Sequence, residues 1–233
     1  MLARTFALLF NSLCAAWLLS TAVPGPHRVL FADSFGMSEI APRIWTDAPA
    51  RKTEILGLID NAQTRVAEFF GDSATPVLVI CTRRPCAKTF GIRANGLSFA
   101  DNLVIIAPRG VTLGTLTHEL THSRLHRSMG LRNIFAQPFP TWFDEGLATL
   151  IADHPRWQGR ITTAHRNRVR KVQRFWQWDD AFRDLGVGRA YRAAAAEVRE
   201  IEDRVGRAGL ADLIRRVDAG QDFDTLEQAI RSR

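Results

Sequence analysis

The chain has 233 residues, is 46% hydrophobic and 24% charged, and carries a formal charge of +7 at pH 7, almost all of the excess being arginine. That balance is too apolar for a disordered chain, and with no internal repeat or low-complexity tract it excludes solenoids and fibrous arrays. After a 22-residue leader the remaining residues suffice for one sizeable domain or two small lobes around a cleft.

At the N-terminus, Arg4 precedes an apolar run from Phe6 to Leu19 interrupted by Asn11 and Ser12. Ser20-Thr21-Ala22 then supplies small residues for cleavage after Ala22, so residues 1–22 read as a secretory signal and the mature chain as exported, periplasmic or secreted. An uncleaved anchor reaching Val23 is the alternative. Residues 23–45 read as irregular, with Pro24, Pro26 and Pro42. Asp47 is expected to cap a helix from about Pro49 to Phe70, in which Ile55, Leu58, Ile59, Ala62, Val66 and Phe69 share one face and Gly71 ends the run. Pro76 to Cys81 and Leu103 to Ala107 are short β-branched stretches of the kind that form buried strands. Cys81 and Cys86 flank Thr82-Arg83-Arg84-Pro85, read as a tight turn; outside the cytoplasm they pair as a local disulfide, otherwise they stay as two thiols. Between the strands, an Asn95-Gly96 turn leads into an extended piece that suits an edge strand, with an inert loop as the competing reading.

His118-Glu119-Leu120-Thr121-His122 comes next, led in by Thr112 to Thr117 with Leu113, Leu116, Leu120 and Leu125 at near-helical spacing and Gly130 placed to cap the end. On a helix, residues four apart stack on one face, so both imidazoles reach the same point and Glu119 lies beside it. Composition alone gives this pattern about 0.006 times per chain, which sets it above coincidence. A second short helix starts after Pro138 and Pro140, with Thr141 and Asp144 as a capping pair and Glu145 in its first turns. Two histidines and a glutamate make the three-ligand set of a hydrolytic zinc site, whose fourth position holds water.

The pair of segments H-E-L-T-H and P-T-W-F-D-E-G-L-A resembles the gluzincin metallopeptidases, the thermolysin-like clan, and most closely its small bacterial members with a W-x-x-E-G-L-A helix. The resemblance runs from about Val77 to the C-terminus, with specificity concentrated in the two helices. It implies Zn2+ held by His118, His122 and Glu145, with Glu119 as general base, and a zincin-like α+β fold in which a small mixed sheet packs on the zinc-binding helix. It also implies that an extended peptide adds to the edge at 96–100, and that Tyr191, the single tyrosine, meets the oxyanion; a half-buried packing role is the alternative for Tyr191. The metzincin pattern does not fit, because Leu125 and Ser128 stand where it needs Gly and His. Thr149 departs from the clan's Asp that orients a zinc histidine; Asp144 is the nearest substitute, although it points about 100° from Glu145 on a helix. His126 continues the histidine row and reads as a partly exposed helix residue with a substrate or outer-sphere role as the alternative; His27, His154 and His165 read as surface residues.

The rest reads as helical, at about 162–184, 189–205, 208–218 and 223–231, separated by Gly186, Gly188, Gly206 and Gly220. The expected organisation is thus a signal at 1–22, an α+β lobe at 23–130 and an α-helical lobe at 131–233. From Arg156 to Arg174 the chain carries seven basic residues with Trp157, Phe175, Trp176 and Trp178 near them, which suits either solvated helix faces or an anionic envelope surface. Nucleic acid is not the expected partner of an exported chain. Two functions follow: an exported zinc metallopeptidase acting on peptide or protein, or a basic membrane- or cell-wall-binding module whose metal site is structural or vestigial.

Overall fold

The computed structural model describes residues 24–127, 137–153 and 160–232, so the predicted signal, Gly130, His154 and Arg156 lie outside the described residues. The fold is mixed α+β, with a five-stranded sheet in the first half of the chain and helices thereafter. The strands are β1 (Ser38–Ala41), β2 (Ile44–Thr46), β3 (Val77–Ile80), β4 (Gly96–Phe99) and β5 (Leu103–Ile106), in the order β1-β2-β3-β5-β4. The central pairings β2–β3 and β3–β5 are parallel, and the outer ones antiparallel.

The stretch 23–45, expected to be irregular, is ordered in two places: Pro26–Phe35 runs as 3-10 helix broken at Phe31, and residues from Ser38 onward form the β1–β2 hairpin. Its turn places Arg43 at φ 67, with Glu39 Oε1 accepting from the Arg43 N–H at 2.8 Å. Strands of four and three residues carry too little periodicity to announce themselves; pairing of β2 with β3 holds them. β3 and β5 fall where the β-branched runs place them. Their side chains alternate as the pleat requires. Leu78, Ile80, Val104 and Ile106 face helix α1 (Lys52–Phe70) and helix α3 (Leu113–Leu125), whereas Val79 and Ile105 face Phe90, Ile92 and the cysteines.

Helix α1 carries the expected apolar face and stops at Gly71, φ 83, but Asp47 does not cap it. The Asp47 carboxylate accepts instead from the Thr82 backbone N–H at 2.7 Å and its hydroxyl at 2.9 Å, tying the start of α1 to the end of β3. Cys81 and Cys86 are joined, with Cα atoms 5.4 Å apart, and Cys86 sits in the first turn of helix α2 (Arg84–Thr89) rather than at the end of a simple turn.

Helix α3 ends at Leu125 with His126 as its cap, short of Gly130. It is buried on nearly every side, and Thr117 and Thr121 satisfy their hydroxyls on the carbonyls of Leu113 and Thr117, at 2.9 and 2.8 Å. Helix α4 (Thr141–Ala152) begins after Pro140 without a side-chain cap, so the Thr141 and Asp144 pairing does not form. Its opening N–H groups, from Thr141 and Trp142, donate to the carbonyls of Gln173 and Val172, each at 3.2 Å. Those acceptors are available because the expected 162–184 helix is interrupted: α5 (Thr163–Arg170) stops, and α6 (Trp178–Leu185) starts after a short 3-10 turn. Helix α7 (Val187–Asp218) bends at Gly206, φ 72 and ψ 170, as the glycine spacing predicts, and α8 (Phe223–Arg231) closes the chain.

The rear helices enclose a second core, in which Trp142, Phe143 and Leu147 of α4 meet Ala190, Ala194 and Val198 of α7 and Phe223 of α8. Gly146 makes this approach possible: a Cβ there would stand 2.5 Å from the Ala194 carbonyl oxygen. Within the basic stretch, Arg166 and Arg170 pair with Glu197 on α7, Arg170 also with Glu227 on α8, and Arg168 with Asp184 on α6. Three of the seven cations are therefore neutralised inside the fold.

Candidate metal centre

Three side chains from two helices converge where α3 crosses α4. Two turns of α3 place His118 Nε2 and His122 Nε2 at 3.0 Å from each other, and Glu145 Oε2 of α4 lies 3.3 Å from the first and 3.4 Å from the second. Donors about 2.0–2.1 Å from a tetrahedral zinc stand roughly 3.3 Å apart, so this near-equilateral triangle has the dimensions of one face of such a site. Glu145 Oε2 is buried without a hydrogen-bond donor. A buried carboxylate oxygen in that state calls for a cation. These residues therefore form a group that could hold a metal ion.

The surrounding charges follow from burial and proximity. Burial acts against ionisation of Glu145, but His122 and then His118 outweigh it and bring the carboxyl down to about 2. Glu119 is the opposite case: burial dominates, His118 and His122 offset it only in part, and the carboxyl is held above its ordinary value. Its neighbour is Gly96, at the start of β4, where a Cβ would fall 2.5 Å from Glu119 Oε1. Gly96 is the first residue of the edge strand, placed for close approach to α3, so the expected Asn95-Gly96 turn does not form; the Asn95 carbonyl accepts from the Ala107 N–H at 2.9 Å and prolongs the β4–β5 pairing.

Tyr191 packs against the same group. Its ring meets His118 edge-on at 5.6 Å between centroids, backed by Trp178 and Phe182 at 5.5 Å each. Burial, then the Glu145 carboxylate, keep its hydroxyl protonated well above the usual phenol range, with Trp178 acting in the other direction.

Two residues that sequence reasoning left at the margin are drawn in. Asp144 accepts from His122 Nδ1 at 2.7 Å through one oxygen and from His126 Nε2 at 2.8 Å through the other. Burial would raise the Asp144 carboxyl, but His126 and His122 override it and hold it far below the usual range. Burial would lower His122, but Asp144 and then Glu145 outweigh it and lift it well above an ordinary histidine. Thr149, at the clan's Asp position, is buried and its hydroxyl has no partner among the described residues. The sequence offered Asp144 as the substitute for the orienting carboxylate that Thr149 lacks, against its roughly 100° divergence from Glu145; the contact with His122 Nδ1 places it there. His27 is exposed, and His165 closes a capping box with Thr162 on α5; neither joins the cluster.

Comparison of the chain with protein-family models, with curated proteins and with solved structures gives no match.

Proposed function

We propose that the chain is an exported zinc metallopeptidase of the gluzincin type, zincin-like in fold, which hydrolyses peptide bonds in peptide or protein substrates. The observation that carries this reading is the triangle of His118 Nε2, His122 Nε2 and Glu145 Oε2, with sides of 3.0–3.4 Å and a donor set suited to zinc. Zinc in that position supplies Lewis acidity, acidifying a water and polarising the scissile carbonyl. Glu119 takes the proton of the attacking water on its carboxylate and delivers it to the leaving amine. Tyr191, protonated and seated against His118, is the hydroxyl donor for the developing oxyanion. Among the described residues β4 pairs only with β5 and ends the sheet, so its outer edge is the place for an extended substrate segment, close to Glu119 through Gly96.

Export is supported by the buried Cys81–Cys86 disulfide, a bond that persists in oxidising compartments. Among the described residues no helix is long and apolar enough to cross a membrane. The internal pairing of Arg166, Arg168 and Arg170 leaves less charge for a purely surface-binding role than the sequence promised. The purified mature chain is expected to carry one zinc per molecule and to cleave an unfolded protein substrate in a chelator-sensitive way. Metal analysis of the His118→Ala/His122→Ala double variant decides the matter; stoichiometric zinc in that variant would overturn the proposal.

A further inference from the structure

Five polar side chains at the α3–α4 crossing form two layers that share His122. The inner layer is His118, His122 and Glu145, with separations of 3.0–3.4 Å. The outer layer is His122, Asp144 and His126, with contacts of 2.7 and 2.8 Å. The difference in spacing matters. Ligands around one zinc stand roughly 3.3 Å apart, so the outer contacts are hydrogen bonds and not a second ligand set.

A neutral imidazole has one N–H and one lone pair. In the neutral ring that metal ligation requires, His122 Nδ1, at 2.7 Å from a carboxylate oxygen, is the N–H, which leaves Nε2 bare and turned toward His118 and Glu145. Adjacent residues on a helix diverge by about 100°, and this lets α4 address both sides of one ring, Glu145 at Nε2 and Asp144 at Nδ1. Asp144 is itself fixed, because its second oxygen is held by His126, the cap residue of α3. The Thr149 position, where the clan places an orienting carboxylate, offers only a hydroxyl.

Resting on the metal reading above, we propose that Asp144 and His126 are positioning residues for the metal ligand His122: Asp144 sets its tautomer and ring orientation, and His126 locks Asp144 in place. Neither touches the metal or the substrate. His126 thus completes the i, i+4, i+8 row of α3 as a buttress rather than as a fourth ligand, which would have closed the site to water.

The test is zinc affinity of the full mature chain at fixed pH, by competition with a chromophoric chelator, with the visible spectrum of the cobalt(II)-loaded protein as a second readout. Asp144→Asn is expected to weaken zinc by about 10–100-fold, as for other outer-sphere partners of metal histidines. His126→Phe, similar in size but without a donor, should weaken it by about tenfold, and His126→Gln, which keeps an N–H for Asp144, should recover most of the loss. The cobalt spectrum should change in the first two variants and return in the third. A merely structural role would lower the melting temperature of the metal-free chain and leave that spectrum unaltered. Unchanged zinc affinity in folded Asp144→Asn and His126→Phe overturns the assignment while the metal reading stands. A parent chain that binds no zinc overturns both. Should Asp144→Asn fail to fold, the contrast between His126→Phe and His126→Gln decides on the same scale.

Discussion

Gly96 and Glu119 show how much a single missing side chain can determine. The edge strand approaches the Glu119 carboxylate of α3 at a point where any Cβ would intrude to 2.5 Å, so the strand and this side chain share one small volume. Glu119→Gln keeps the size of the side chain and removes its ability to accept a proton. The expected result is retained zinc and fold with a loss of about 10²–10⁴-fold in rate, mainly in kcat, measured by steady-state cleavage of an unfolded protein. Unchanged cleavage would assign the activity to another site. Tyr191→Phe should cost less, about 10–10³-fold, and silence there would return Tyr191 to a packing role. The convergence of His118 and His122 was legible because helical spacing is a local property of the chain; that of Glu145, on a separate helix, was legible through the P-T-W-F-D-E-G-L-A resemblance. Asp144 and His126 were legible only as alternatives, since a side chain that bridges two histidines four residues apart looks, in one dimension, like a helix cap and a surface histidine until the fold brings them within 2.8 Å.

Among the elements, those with a long period or a glycine stop were readable: α1 with Gly71, the bend of α7 at Gly206, and α8. The hairpin of β1 and β2 and the interruption between α5 and α6 were not, because each exists to satisfy groups far away in sequence. The carbonyls of Val172 and Gln173 leave the helical path and receive the first N–H groups of α4, a constraint no window over 162–184 contains. The α4–α7 contact gives a direct test. Gly146→Ala introduces a Cβ 2.5 Å from a backbone oxygen of Ala194, which is not a yielding neighbour. The expected cost is about 1–3 kcal/mol, read as a lower urea midpoint, as for other overpacked cores. Equal stability of the variant would show that α7 does not approach α4 as closely as described.

At the scale of the whole molecule, the rear helices are joined by charge as well as by apolar packing. Glu197 of α7 is almost fully buried and accepts from Arg170 at 3.0 Å and Arg231 at 2.7 Å, and Glu227 of α8 accepts from Arg170 at 2.7 Å. Burial raises both carboxyls, but the arginines outweigh it and leave both below their ordinary values. A carboxyl with a lower pKa in the folded state stabilises fully above its unfolded value, about 4.3, and loses that contribution as the pH falls through the folded value. The melting temperature is therefore expected to hold from pH 7 to about 5 and to fall below about 4.3, with a shallower acid limb in Glu197→Gln/Glu227→Gln. An identical acid limb in that variant would remove these pairs from the account.

The carbonyls of Val172 and Gln173 also make the start of α4 depend on residues that follow it in the chain. α4 cannot satisfy its opening N–H groups until residues well beyond it are in place, nor settle against α7 until Ala194 has arrived. A chain still emerging, or cut short before residue 172, has His118 and His122 but no fixed Glu145 to complete the triangle. The α3–α4 crossing thus depends on the C-terminal half of the chain: the acceptors that fix the start of α4, and with it Glu145 beside His118 and His122, lie beyond that helix.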